Sequence, residues 1–211
     1  MNNFEEALAK YIGLDSLAKI QEVKIGIAGA GGLGSNCAFN LVRSGFKHFT
    51  IVDYDNIEFS NLNRQFYFLD QVGKTKVLAL KENLLRINPN IDMTAVCEKI
   101  ISENIHSFFD DCDIIVEAFD RVEFKKLIIE AYISSPKLLV AASGLAGWGN
   151  SDMMTVKKIN PTFYLVGDDV SEVTATCPPM SPRVNITAAK QADVILEWVL
   201  GVSGGSERLM I

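Results

Sequence analysis

The chain of 211 residues is marked first by what it lacks. Its four cysteines, Cys37, Cys97, Cys112 and Cys177, include no C-x-x-C pair, which excludes a sequence-local zinc knuckle and gives no disulfide framework. The first three read as buried small hydrophobes. No apolar run approaches the ~20 residues of a membrane-spanning helix. The opening MNNFEEALAK is acidic and has no apolar core of the signal-peptide kind. A cytoplasmic protein without membrane association is expected. A basic excess is missing too: the net charge of −6 argues against nucleic acid as partner, because phosphate-driven binding needs a cationic face. Histidine is scarce, and His48 and His106 both fall where solvated surface is expected.

What is present is alternation of strand and helix. A hydrophobic fraction of 48% with 22% charged residues suits one globular domain over 1–211. Residues 3–20 carry Phe4, Leu8, Ile12, Leu14 and Leu17 at loosely helical spacing, predicting one or two short helices within an N-terminal segment 1–21. VKIGIAGA is a near-continuous apolar strand of the kind buried on both faces of a parallel sheet. A glycine cluster follows, then a helix stopping at Gly45, then the strand HFTIVD. Further along, GKTKVLALKENLLRINP predicts a helix, IDMTAVC a strand and SENIHSFF a short helix capped by Ser102. CDIIVEAF and KLLVAAS are strands flanking the helix RVEFKKLIIEAYISS. The pattern predicts an α/β fold: a Rossmann-like doubly wound, mainly parallel sheet with right-handed crossovers. Residues 22–145 form its nucleotide-binding core. From 146 onward the rhythm changes to two consecutive strands, an antiparallel extension, then a mobile loop over 167–181, a long helix and a tail containing Gly204-Gly205.

Gly29, Gly31, Gly32 and Gly34 sit where the first strand turns into a helix. Glycines there permit a tight turn and bring backbone N–H groups and the helix N-terminus close to a phosphate. Asp53, at the end of the second strand, is placed to accept from a ribose hydroxyl. This unit predicts a nucleotide and does not by itself separate NAD from ATP. The stretch FSNLNRQ, residues 59–65, adds the distinction. Arg64 and, twelve residues on, Lys76 return to the carboxyl ends of the strands, where two cations would neutralise a triphosphate. Asn61 and Asn63 are suited either to orient the arginine or to bond phosphate oxygens. Asp120 reaches the same crevice and suits Mg²⁺, a hard cation that takes carboxylate oxygen. This set favours ATP.

The stretches GAGGLGSN, VDYDNIEFSNLNRQ, VGKTKV, LLRINP and EAFD resemble the ThiF/MoeB adenylyltransferases, relatives of the ubiquitin-activating enzymes, and most of all short ThiF, the sulfur carrier protein ThiS adenylyltransferase. The resemblance implies ATP-dependent adenylation of the C-terminal glycine carboxylate of a ubiquitin-like sulfur carrier ending in Gly-Gly, in thiamin biosynthesis, by a homodimer. It places Gly32, Asp53, Ser60, Asn61, Asn63, Arg64, Gln65, Lys76 and Asp120 at the ATP site, with Asp53 for ribose, Arg64 and Lys76 for phosphates and Asp120 for Mg²⁺. The alternatives within reach are another carrier, in a molybdopterin or tRNA-modification pathway, and a nucleotide-binding interaction protein without turnover. Three departures matter. The family's paired zinc cysteines are missing, so no zinc is expected. No arginine precedes Arg43 to serve a partner subunit's ATP; either Lys10 or Lys19 replaces it or that contact is absent. Cys177, in ATCPPMSP, stands near the position of a sulfur-transfer or adduct cysteine without matching its neighbours. The loop SGLAGWG, with Trp148, reads equally as a seat for the incoming glycine tail and as a surface turn.

Overall fold

Short β-branched and aliphatic runs form the centre of the molecule, as such residues pack well on a pleated surface. The computed structural model describes residues 1–202, and the expected tail with Gly204 and Gly205 lies outside the described residues. The strands are β1 (Lys24–Ala28), β2 (His48–Val52), β3 (Asp92–Val96), β4 (Ile114–Glu117), β5 (Leu138–Ala142), β6 (Thr155–Asn160) and β7 (Phe163–Gly167). They form one seven-stranded sheet in the order β3-β2-β1-β4-β5-β7-β6. All neighbours are parallel except β6 and β7, so the doubly wound sheet and its antiparallel extension are as expected.

The helices are α1 (Asn3–Ile12), α2 (Leu14–Glu22), α3 (Gly32–Arg43), α4 (Lys76–Leu85), α5 (Ile105–Phe109), α6 (Val122–Tyr132) and α7 (Ser181–Leu200). One face of the sheet is covered by α2, α3, α4 and α7 around Ile25, Ile27, Ile51, Ile114, Val116 and Val140. The other is covered by α5 and α6 around Ile115, Leu139 and Ala141. Because alternate residues of a strand point to opposite faces, strands covered on both sides are apolar throughout. In β5 every residue is buried. The edge strand β6 differs: Thr155 through Ile159 are exposed and include Lys157 and Lys158, charges that discourage edge pairing with another chain.

Local differences from expectation have local causes. α5 starts at Ile105 with Asn104 as its cap, not Ser102; Asn104 Oδ1 accepts from Ile101 N–H at 2.8 Å and so closes the preceding turn. Cys37 and Cys112 are buried, whereas Cys97 is exposed. It follows Val96, the last paired residue of β3, at the edge of the sheet. The N-terminal helices are fastened by Glu5, a 1% exposed carboxylate. It accepts from Asn2 N–H at 3.0 Å, from Asn88 and Asn90 amides at 3.3 and 3.1 Å, and pairs with Lys47 at 3.1 Å. These partners hold its pKa down at about 2 against the cost of burial.

The strand order turns back on itself at β1. From there β2 and β3 extend one way and β4, β5, β7 and β6 the other, and the carboxyl ends of the strands at such a switch point form a crevice.

Candidate active site

The crevice is built first by the turn from β1 into α3. Gly34 allows it: a Cβ there would lie 1.8 Å from Gly29 O, so only glycine permits the backbone to fold this closely. Gly31 caps α3, and no side chain caps the helix. Its first N–H groups, which lack intrahelical partners as at every helix start, therefore face the crevice with the positive end of the helix dipole.

Asp53 fixes this turn from the end of β2. Its Oδ2 accepts from Ala30 N–H at 2.7 Å and its Oδ1 from Asp55 N–H at 2.8 Å. Burial pushes its pKa above the usual carboxylate range, and the nearby Lys76 ammonium and these two N–H donors pull it back. Tyr67 O–H donates to Ala30 O at 2.7 Å from below. Ser35 Oγ donates to Gly31 O at 2.6 Å and accepts from Phe66 N–H at 3.0 Å, tying the glycine turn to the end of the polar loop.

The polar loop is largely self-built, which explains its amides. Asn61 Oδ1 accepts from Glu58 N–H at 3.0 Å, and Ser60 Oγ donates to Glu58 Oε2 at 3.2 Å. Arg64 Nη1 donates to Ser60 O at 3.0 Å and to Asn63 Oδ1 at 2.8 Å. Its Nε and Nη2 find no protein partner among the described residues, so one edge of the guanidinium fork is open. Asn36 Nδ2 donates to Gly32 O at 2.7 Å and to Arg64 O at 2.8 Å, holding loop and helix start together. The Arg64 Cγ lies 3.6 Å from where a Cβ on Gly32 would stand. Gln65 is buried, and its Oε1 has no hydrogen-bond partner among the described residues. A buried acceptor left unpaired costs about 1–3 kcal/mol, and an amino or hydroxyl group of a nucleotide would supply the donor.

Lys76, the first residue of α4, is buried and donates to Asp55 Oδ2 at 2.7 Å. Asp120, just past β4, is exposed. Among the described residues no cluster of three or more His, Cys, Asp or Glu could hold a metal. A single carboxylate is compatible with Mg²⁺ carried on nucleotide phosphates, which keeps several waters. The structure thus brings Gly29, Gly31, Gly32, Gly34, Asp53, Arg64, Gln65, Lys76 and Asp120 to one end of the sheet. Ser60 and Asn61 serve the loop's own geometry.

The extension closes the crevice. Residues 143–149 run past β5, and Trp148 is 68% exposed. Gly147 N–H donates to Pro178 O at 2.9 Å. A Cβ on Gly147, which has φ +77°, would fall 2.8 Å from Cys177 Sγ and 3.7 Å from Arg183 Nη1. Cys177 does gain a cationic neighbour, but Arg183 is already engaged. It pairs with Asp168, donates to Ala146 O at 2.7 Å and is 8% exposed. Asp168 Oδ1 accepts from Val170 and Ser171 N–H at 3.0 and 2.9 Å, and these bonds with the arginine hold its carboxyl below the usual range although burial opposes them. Sequence reasoning missed this clamp and Asp55. The second acid of D-x-D was visible as a signal for Asp55; nothing local announces a pair fifteen residues apart across an irregular loop.

The model of the ThiF family matches residues 4–210. The sulfur carrier protein ThiS adenylyltransferase of Bacillus subtilis is 31% identical over 90% of this chain and 58% of its own length. The SUMO-activating enzyme subunit 2 of Dictyostelium discoideum is 35% identical over 65% of this chain and 21% of its own. The chain spans between 21 and 59% of the length of the curated relatives it matches. Among solved structures, the tRNA N6-threonylcarbamoyladenosine dehydratase TcdA of E. coli, in complex with ATP, superposes with a TM-score of 0.83 at 21% identity, covering 92% of both chains. With the motifs, the switch-point crevice and the family model in accord from Phe4 onward, the chain belongs to the ThiF family.

Proposed function

We propose that residues 1–211 act as one cytoplasmic adenylyltransferase unit, within a homodimer, that activates a carboxylate with ATP and Mg²⁺ and releases pyrophosphate. The carboxylate is the C-terminal glycine of a ubiquitin-like, ThiS-like sulfur carrier, as in thiamin biosynthesis. The observation that carries this reading is Arg64, whose Cγ and Cδ lie beside Gly32 at the uncapped start of α3 and whose guanidinium is engaged among the described residues through Nη1 alone, by Ser60 O and Asn63 Oδ1.

Attack of a carboxylate on an α-phosphate sets anion against anion, so cations aimed at the developing charge supply most of what a catalyst must. The nucleophile is already ionised and needs no general base. Arg64 would grip phosphate oxygens bidentately, Lys76 would shift from Asp55 as a point charge, and the α3 N-terminus would cradle the rest. Asp53 would take the ribose, and Gln65 Oε1 a nucleotide donor. Asp120 would hold Mg²⁺, which neutralises phosphate charge when bound. Ser60, Asn61 and Asn63 keep the loop in shape. The 143–149 segment would seat the incoming tail, since its glycines let two backbones approach.

A second reading has its own support. TcdA, whose name states an action on a threonylcarbamoyl nucleoside, matches at nearly equal length. A threonylcarbamoyl group also ends in a carboxylate, so the same α-phosphate chemistry would serve. The net charge of −6 speaks against tRNA as the acceptor. Pyrophosphate exchange into ATP separates these. Exchange dependent on a Gly-Gly carrier, and lost in Arg64→Ala and Asp120→Ala, is expected. Exchange dependent on modified tRNA supports the second reading, and ATP binding without exchange under either condition removes both. A solution mass near 23 kDa would reject the dimer.

A further inference from the structure

Asn63 holds two bonds that point in opposite directions. Its Oδ1 accepts from Arg64 Nη1 at 2.8 Å. Its Nδ2 donates to Pro179 O at 3.2 Å, across 116 residues of sequence. Pro179 belongs to the segment that pairs with Gly147: the two form a parallel bridge, and Gly147 N–H donates to Pro178 O at 2.9 Å. The same short segment carries Cys177, which bonds Thr174 in both directions, Thr174 N–H to Cys177 O and Cys177 N–H to Thr174 O, each at 3.2 Å. One amide therefore joins Arg64 on one side to the irregular loop on the other.

The loop's remaining anchors lie elsewhere. Asp168 and Arg183 fasten its start to the first turn of α7, and Ser171 Oγ accepts from Ala146 N–H at 3.1 Å. Between Ser171 and Ser181 its long-range bonds are the ones to Gly147 and Asn63. An Asn side chain is suited to the junction because its carbonyl accepts and its amide donates at once. A carboxylate would offer no donor to Pro179, and a hydroxyl is too short to span both partners.

We propose that Asn63 is a positioning residue that couples nucleotide binding at Arg64 to the order of the 172–180 segment. When phosphate oxygens fix the Arg64 fork, Asn63 is held in its present rotamer and Pro179 is anchored with it. The 177–179 segment, and through Pro178 the Gly147 backbone beside which an acceptor tail would lie, is then set in place. This inference rests on the proposed ATP site and adds regulation of the acceptor side by the nucleotide side.

Cys177 gives a reporter that needs no acceptor. In a Cys97→Ser background it is the accessible thiol, since Cys37 and Cys112 are buried. Alkylation of Cys177 by iodoacetamide is followed with and without saturating ATP–Mg²⁺, and ATP affinity is titrated separately. ATP is expected to slow alkylation at least about fivefold, the scale of one strengthened anchoring bond. Asn63→Ala, compared at ATP concentrations that saturate it, is expected to lose the slowing; Arg64→Lys, which keeps charge but not the fork, is expected to bind ATP more weakly and to lose the slowing even at saturation. Equal slowing in Asn63→Ala would mean that ATP shields the thiol directly and would overturn the coupling. So would ATP binding to the background protein without any change in alkylation. A background protein that binds no ATP at all would overturn the nucleotide reading, and the coupling with it.

Discussion

Two cation–carboxylate pairs flank the same crevice and are built differently. In Lys76–Asp55 the lysine side chain is 8% exposed but the carboxylate 49%. In Arg183–Asp168 the values are 10% and 5%. The first has one wet partner, so its lysine can be handed to a phosphate while Asp55 returns to water. The second is dry on both sides, and its cation also serves Ala146 O. Handing that arginine to a ligand would strand a buried carboxylate. A cation is available to chemistry only when its resting partner has somewhere else to go; Lys76 meets that criterion, as the proposed phosphate role requires, and Arg183 does not.

Removing one partner tests this contrast most severely at the dry pair. Arg183→Ala is expected to cost about 3–5 kcal/mol, because a buried charge is left uncompensated, read as a shift in the urea midpoint. Asp168 has a lowered pKa, so its contribution is fully present above the ordinary aspartate range and is lost as pH falls through the lowered value. The stability difference between the native chain and Asp168→Asn should therefore shrink on acidification below that range. At the wet pair, Lys76→Ala is expected to reduce acceptor-dependent exchange about 10²–10³-fold while costing less folding stability than Arg183→Ala. A larger stability loss at Lys76 than at Arg183 would dissolve the contrast.

Another carboxylate, Glu5, lies away from the crevice and sharpens the comparison, since it is dry like Asp168 but remote from the proposed chemistry. Glu5→Gln is expected to lose about 1.5–3 kcal/mol at neutral pH with exchange unchanged. Glu5 is held at about 2, well below the ordinary glutamate range, so the difference from the native chain should be full above that ordinary range and fade as pH falls towards 2. The smallest effect belongs to Asp55→Asn. The Lys76 N–H to Asp55 O bond at 3.0 Å survives the change, so stability should move by about 1 kcal/mol or less. A collapse of the fold in that variant would show Asp55 to be structural rather than a yielding partner.

Much of this was legible beforehand, for reasons that differ by element. The parallel strands announced themselves because β5 and its neighbours are buried on both faces and so read as unbroken apolar runs. The turn at Gly29–Gly34 was visible because only glycine tolerates a 1.8 Å clash of Cβ with Gly29 O. Cys97 is exposed where a buried cysteine is expected, because residue type says nothing of edge position. The sequence offers Ser102 as a cap and the structure uses Asn104, because either side chain suits a turn and the choice depends on where the following apolar residues dock. In the polar loop the sequence leaves Asn61 and Asn63 either to orient Arg64 or to bond phosphate; in the structure Asn63 does bond Arg64, while Asn61 accepts from Glu58 N–H.

The sequence by itself determined the alternation of strand and helix, the glycine turn, and the presence of an acid and two cations after successive strands. Each of these depends on spacing within a few residues. Tertiary structure alone decided which charges are free. Whether Lys76 or Arg183 can leave its carboxylate depends on how much water reaches Asp55 and Asp168, and whether Asn63 serves Arg64 alone or also Pro179 depends on a loop more than a hundred residues away. Solvent access and long-range contact are properties of packing, and no local pattern of residue types encodes them.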